Sequence, residues 1–157
     1  LTALVSSGFP SSSFIFLGFL PKKKKERDEI LLKISDFDKT TILYESPHRF
    51  KKLLVELKSF CGGNREIQVF RELTKKYEEQ IGVTIDVVIS HFKDKKIIGE
   101  ITIVINGANK TKTSVINEYS LKKDLNELID AGLTLSAASS YLAKKKNIKK
   151  NLIYNLY

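Results

Sequence analysis

The chain has no methionine, no tryptophan, one cysteine and two histidines in 157 residues. Each scarcity excludes something. A single thiol, Cys61, cannot close an internal disulfide, so the sequence predicts a protein of a reducing cytoplasm. With His48 and His91 as the only histidines, no metal site is expected. No apolar run reaches the length of a membrane span, so no membrane partner is expected. The run Phe14–Leu20 is short and is followed by lysines instead of a small-residue cleavage site, which argues against a secretory signal. The missing methionine leads to the expectation that this is a piece of a longer chain. So do the opening residues Leu1-Thr2-Ala3-Leu4-Val5-Ser6-Ser7-Gly8, which read as a helix end stopped by glycine. There is also no glycine-rich phosphate loop and no nucleophile–His–Asp pattern.

What is present reads as soluble and globular. Hydrophobic residues make up 42% and charged residues 29%, enough for one ordinary domain or a small domain with an appendage. The net charge of +9 favours an anionic polymer or surface as partner, although solvated lysines alone would give the same balance. The basic residues are unevenly placed. Residues 107–157 carry nine lysines against four acids, so this third of the chain holds more than half of the excess.

Four strands are expected, at 13–20, 40–45, 66–71 and 100–105. The first reads as buried throughout, Ser-Phe-Ile-Phe-Leu-Gly-Phe-Leu. Between them fall helices at 24–35 (apolar face Ile30, Leu31, Ile34), after Ser46 (Phe50, Leu53, Leu54, Leu57), and after Thr84 (Ile85, Val88, Ile89, Phe92). Strand and helix therefore alternate, which defines an α/β layer architecture, with parallel and antiparallel pairing both open. Gly107–Ser114 is polar and reads as a linker. The expected division is an α/β domain over 1–106, a linker over 107–116 and a basic helical tail over 117–157. In the tail, Ser120 and Ser136 are candidate caps and Gly132 a stop. The candidate core is Leu121, Leu125, Leu128, Ile129, Ala138, Leu142, Ile148, Leu152 and Leu156. The run 138–152 has the outline of a helix-turn-helix.

Two runs carry more functional side chains than a core requires. The first is Leu43-Tyr44-Glu45-Ser46-Pro47-His48-Arg49, at the C-terminal end of a strand where a helix begins. Ligands of α/β sheets bind at that edge, and a helix start presents free N–H groups. A well-capped helix, with Ser46 as cap and Pro47 in its first turn, would account for the same residues. The second run is Arg71-Glu72-Leu73-Thr74-Lys75-Lys76-Tyr77-Glu78-Glu79. It offers paired carboxylates suited to acid–base work, or equally a structural ion-pair network.

Taken together, Ser7-Gly8-Phe9-Pro10, Phe16-Leu17-Gly18-Phe19-Leu20-Pro21, Tyr44-Glu45-Ser46-Pro47-His48-Arg49, Arg71-Glu72-Leu73-Thr74-Lys75 with Glu78-Glu79, and Gly99-Glu100 resemble the ribosomal-RNA small-subunit methyltransferase I family, of the tetrapyrrole-methylase superfamily. They occur in the family's order and at similar spacing. The resemblance departs at Gly82-Val83-Thr84, where the family usually has Arg-Gly-Thr, and at Phe70, where it has a small residue. It implies the second α/β domain of a two-domain enzyme, with a helical tail, that uses S-adenosylmethionine to methylate a cytidine ribose 2′-hydroxyl of 16S rRNA in the small ribosomal subunit. A homodimer is also implied. Cofactor contacts fall to Tyr44, Glu45 and Gly107. RNA contacts fall to Arg49, Arg71 and Lys75. Glu78, Glu79 and His48 are unranked candidates for the base, and Glu45 also belongs among them. No metal is called for. A tetrapyrrole methylase and a non-catalytic nucleic-acid-binding module are the alternatives.

Overall fold

The computed structural model describes residues 1–108, 118–146 and 150–157. The chain falls into two compact units, Leu1–Thr113 and Ser114–Tyr157.

In the first unit the elements run α1 (Thr2–Ser7), β1 (Phe14–Phe19), α2 (Lys24–Asp36), β2 (Thr40–Glu45), α3 (Pro47–Cys61), β3 (Glu66–Arg71), β4 (Glu79–Thr84), α4 (Ile85–Phe92) and β5 (Ile101–Ile105). The five strands form one mixed sheet in the order β1-β2-β5-β3-β4. Only β1 and β2 are parallel, joined by the α2 crossover; the remaining neighbours are antiparallel.

Alternation along the strands sorts side chains onto two unlike faces. Leu43, Ile67, Val69, Ile101, Ile103 and Ile105 point to one face. There they meet Leu31 and Ile34 of α2, Leu53, Leu54 and Leu57 of α3, and Val88 and Phe92 of α4. Phe50 and Phe92 close this core with an edge-on ring contact at 5.1 Å. On the opposite face, within the described residues of this unit, α1 packs with Ala3 and Leu4 on Ile42, Phe70 and Val104. Gly8 ends α1 in the left-handed conformation, φ 70.

Two features of this unit differ from the sequence-based expectation. β4 was not anticipated, because Glu79–Thr84 offers only Ile81 and Val83 around a glycine. It is an edge strand held to β3 by backbone pairing from Glu66/Thr84 to Arg71/Glu79. Residues 13–20 are not a buried strand either. Phe14, Phe16 and Phe19 are 39%, 54% and 61% exposed: β1 lies at the sheet edge, and the core under the helices takes Leu17 and Leu20 and not these rings.

The second unit contains α5 (Glu118–Asp130), α6 (Leu135–Lys146) and α7 (Lys150–Tyr154). Leu125, Ala138, Leu142 and Ile153 form its core. Ile153, not Leu152, faces inward; Leu152 is 53% exposed. Ile148 lies outside the described residues, as do most of the linker and the turn of the helix-turn-helix outline. Ser120 and Ser136 lie inside helices, and the hydroxyl of Thr134 caps α6 by accepting from the Ala137 N–H at 3.3 Å. Gly132, at φ 96, follows α5. No helix among the described residues is long and apolar enough to cross a membrane.

Candidate functional site: a cleft where three strand ends meet

The two polar runs are separated in sequence but adjacent in space, and strand direction is the reason. β5 runs antiparallel to both β2 and β3, so its first residue, Ile101, pairs with Glu45 on one side and Arg71 on the other. The C-terminal ends of β2 and β3 thus converge on the start of β5. A cavity of about 920 Å³ opens there, walled by the bare face of β1, the Tyr44–Pro47 turn, Leu73–Thr74 and Gly99–Thr102. That volume lies within the roughly 300–1,000 Å³ of small-molecule sites.

Its apolar wall is built by a β-bulge. Pairing of β1 with β2 steps from Phe16/Ile42 to Gly18/Leu43, leaving Leu17 as the extra residue. Strict alternation would turn Phe19 away from Phe16. The bulge, with Gly18 at φ 61, returns it to the same face. Phe16 and Phe19 then flank Tyr44, with ring centroids 5.1 and 5.8 Å away. Ser46, Thr74 and Thr102 line the same cavity. An amphipathic ligand with a planar ring fits such a mixture.

Glu45 lies at the edge of the cleft with a fully buried side chain, and both of its oxygens are taken. Oε1 accepts from the Ser46 N–H at 2.8 Å and from Arg49 at 2.7 Å. Oε2 accepts from Arg27 at 3.3 Å, and the same guanidinium donates to Glu56 at 2.7 Å. Glu45 therefore holds the β2–α3 turn in shape, with three contacts on its buried carboxylate. Ser46 is extended at the start of α3, but its hydroxyl makes no capping bond.

The other expected site residues are distributed unevenly. Tyr44 lines the cleft. Arg71 donates to Glu79 at 2.8 Å and to the Ile98 carbonyl at 3.5 Å, beside a smaller hollow that includes Tyr77 and Gly99. Lys75 bridges Glu72 at 3.2 Å and Glu100 at 3.0 Å, and those carboxylates hold its ammonium pKa above the ordinary value. Arg49, Arg71 and Lys75 are each already paired with a carboxylate. Glu79 also contacts His91 at 3.1 Å, and hydrogen bonding from Arg71 keeps its carboxyl below the usual range despite partial burial. Glu78 accepts from the N–H of Thr74, a cleft residue, at 2.7 Å. His48 is exposed near the start of α3, away from the cleft lining.

Gly107 stands at the opposite end of the sheet, because Ile105 pairs with Thr41. There a side-chain carbon on Gly107 would strike the Asp38 carbonyl, and the Ala108 N–H donates to Phe37 at 2.6 Å. The structure does not bring Gly107 together with Tyr44 and Glu45. Among the described residues, no three His, Cys, Asp or Glu side chains cluster tightly enough for a metal ion. Sequence reading missed Phe16, Phe19, Leu73, Thr74 and Glu100 as cleft residues. The one signal available for the aromatics was the glycine interrupting an alternating Phe pattern.

No family model matches the chain. Among solved structures, the chain resembles the methyltransferase CobJ, with TM-score 0.50 and 18% identity over 68% of this chain and 46% of that one. It also resembles the cobalt precorrin-4 methyltransferase CbiF, with TM-score 0.50 and 16% identity over 66% and 46%. The fold is thus that of the tetrapyrrole-methyltransferase-like proteins. The chain is 36% identical over 99% of its length to ribosomal RNA small subunit methyltransferase I of Synechocystis sp., covering 56% of that protein. It is 37% identical over its whole length to the Bacillus subtilis protein of the same name, covering 55% of it. Over nearly its whole length the chain is similar to proteins of that name, and it spans about half the length of the curated relatives it matches.

Proposed function

We propose that this chain supplies one wall of an S-adenosylmethionine-dependent ribose 2′-O-methyltransferase acting on a cytidine of 16S rRNA in the small ribosomal subunit. The observation that carries the reading is the coincidence of similarity to these methyltransferases with the cleft. The runs shared with the family converge on one concave, aromatic-walled site at strand ends.

When bound, S-adenosylmethionine supplies a sulfonium methyl for in-line displacement. The work of this chain is positional. Tyr44, Phe16 and Phe19 receive the planar, apolar part of the cofactor and exclude water from it. The buried Arg27–Glu45–Arg49 network fixes the strand end that carries Tyr44. Of the four base candidates, Glu45 is committed to Arg27, Arg49 and the Ser46 N–H; among the other three, Glu78 is the one hydrogen-bonded to a cleft residue, and this supports ranking it ahead of Glu79 and His48. Arg71 and Lys75 act first as partners of carboxylates. RNA phosphates fall more naturally to the lysine-rich tail, where Lys144, Lys145 and Lys146 end α6. In this reading residues 117–157 form an appended RNA-binding module, and the protein is a cytoplasmic homodimer.

The test is transfer of tritiated methyl from S-adenosylmethionine to 30S subunits lacking the modification, using protein expressed from its full reading frame, with the label mapped by nuclease digestion. Label on a 16S cytidine ribose supports the reading. Cofactor binding without RNA label points to a tetrapyrrole acceptor. RNA binding without cofactor binding points to a non-catalytic module.

A further inference from the structure

We propose that Glu72 is a positioning residue: its carboxylate latches a strained turn, Glu72–Thr74, onto the entrance of β5, so that Leu73 and Thr74 become a fixed wall of the cofactor cleft. The proposal rests on the cofactor reading above and assigns a task to a residue outside the cleft lining.

The turn is unusual in its backbone. Glu72 and Thr74 have φ of 51 and 65, the left-handed region that side chains other than glycine seldom occupy. Two such residues around one leucine persist only where the surroundings over-determine them. Here they do. The Glu72 N–H donates to the Glu100 carbonyl at 2.9 Å, and the Glu100 N–H donates back to Glu72 Oε1 at 2.7 Å. Lys75 reaches the same oxygen at 3.2 Å and Glu100 Oε2 at 3.0 Å. The Thr74 N–H is held by Glu78 at 2.7 Å. Leu73 anchors the middle of the turn against the α1 side of the sheet, among Phe70 and Val104.

Across the latch, Gly99 takes φ 90, and a side-chain carbon there would collide with the Glu72 carboxylate. Glycine is required at that point both by its backbone and by the group it faces. Leu73 and Thr74 on one side, Gly99 and Glu100 on the other, all line the same cavity. A surface loop with no task would relax to ordinary φ values. This one is pinned at two left-handed positions beside a ligand-sized hollow, Glu72 by Glu100 and Lys75 and Thr74 by Glu78, and the Glu72 carboxylate is the pin that ties the turn to the start of β5.

The experiment measures S-adenosylhomocysteine affinity by calorimetry and melting temperature by scanning calorimetry, on protein expressed from its full reading frame. Glu72→Ala is expected to raise Kd about tenfold, while Glu72→Gln, which keeps an acceptor for the Glu100 N–H, stays within about threefold of wild type. Gly99→Ala is expected to weaken binding in the same direction with Glu72 intact, and it carries the test should Glu72→Ala not fold. A lowered melting temperature with Kd unchanged in Glu72→Ala and Gly99→Ala overturns the latch, because the role is then only structural. Wild-type protein that folds and binds no S-adenosylhomocysteine overturns the cofactor reading and the latch with it.

Discussion

The two ends of the sheet are each organised around arginine, and they are organised differently. At the far end, Arg65 donates to backbone carbonyls only: Asn106 at 2.7 Å, with Ile34, Ser35 and Phe37 at 3.3–3.4 Å. It ties the end of α2 to the end of β5, and Gly107 packs flat against Asp38 beside it. At the cleft end, Arg27, Arg49 and Arg71 pair with Glu45, Glu56 and Glu79, and the neighbouring turn holds two left-handed residues. Neutral acceptors and close backbone packing shut one end. Charge pairs and stored strain keep the other end concave. Buried ion pairs are a poor way to gain stability but a good way to hold a fixed shape around an opening.

The sharpest way to break the contrast is to remove the hub of the charged end. Glu45→Ala leaves Arg27 and Arg49 without their buried partner, which costs about 3–5 kcal/mol for such a site. Urea denaturation should show that loss, and cofactor affinity should fall with it because the Tyr44–Ser46 turn loses its anchor. Arg65→Ala is the matched change at the closed end. It strips donors from four partly buried carbonyls, for an expected loss of about 1–3 kcal/mol. Its cofactor affinity should equal that of wild type. Equal affinity losses in the two variants would erase the distinction between the ends.

A smaller change isolates the ligand wall from the scaffold. Tyr44 is 41% exposed and contacts Phe16 and Phe19, so truncating it removes little from the core. Tyr44→Ala should weaken S-adenosylhomocysteine binding about tenfold by calorimetry, with Tyr44→Phe close to wild type, since ring contact and not the hydroxyl makes the wall.

Much of the closed scaffold was legible in the sequence, and less of the open end was. α3 announced itself by Ser46-Pro47 and by Phe50, Leu53, Leu54 and Leu57, all of which are buried. Periodicity reports which residues share a face, and it succeeds where that face is covered. It gave no sign that Phe14, Phe16 and Phe19 stay open, because cover is a property of what packs on the strand. β4 escaped notice because an edge strand is specified by backbone pairing, and Gly82 interrupts its only apolar pair. The site residues show the same boundary. Tyr44 and the Arg71–Lys75 run were marked by their chemistry, but which of them face the cleft depends on the antiparallel direction of β5. That direction sends Gly107 to the far end and brings Gly99 and Glu100 to the site.

The least disruptive way to sharpen the comparison is titration, because the ends carry acids shifted in opposite directions. Hydrogen bonds from Arg71 and His91 depress Glu79 at the cleft end, so the folded state binds fewer protons there than the unfolded chain. That stabilisation is present above the ordinary carboxylate value and is lost as pH falls through the depressed one. Burial at the far end pushes the Cys61 thiol up to about 11, against the pull of Arg65. The folded state then keeps a proton that the unfolded chain releases, so stability is intact below the ordinary thiol value and declines as pH rises toward about 11. Melting temperature measured against pH should therefore lose its acid limb in part in Glu79→Gln and its alkaline limb in part in Cys61→Ala, with neither variant altering the other limb. A single variant that flattened both limbs would mean the two ends are coupled through the sheet and do not act as separate devices.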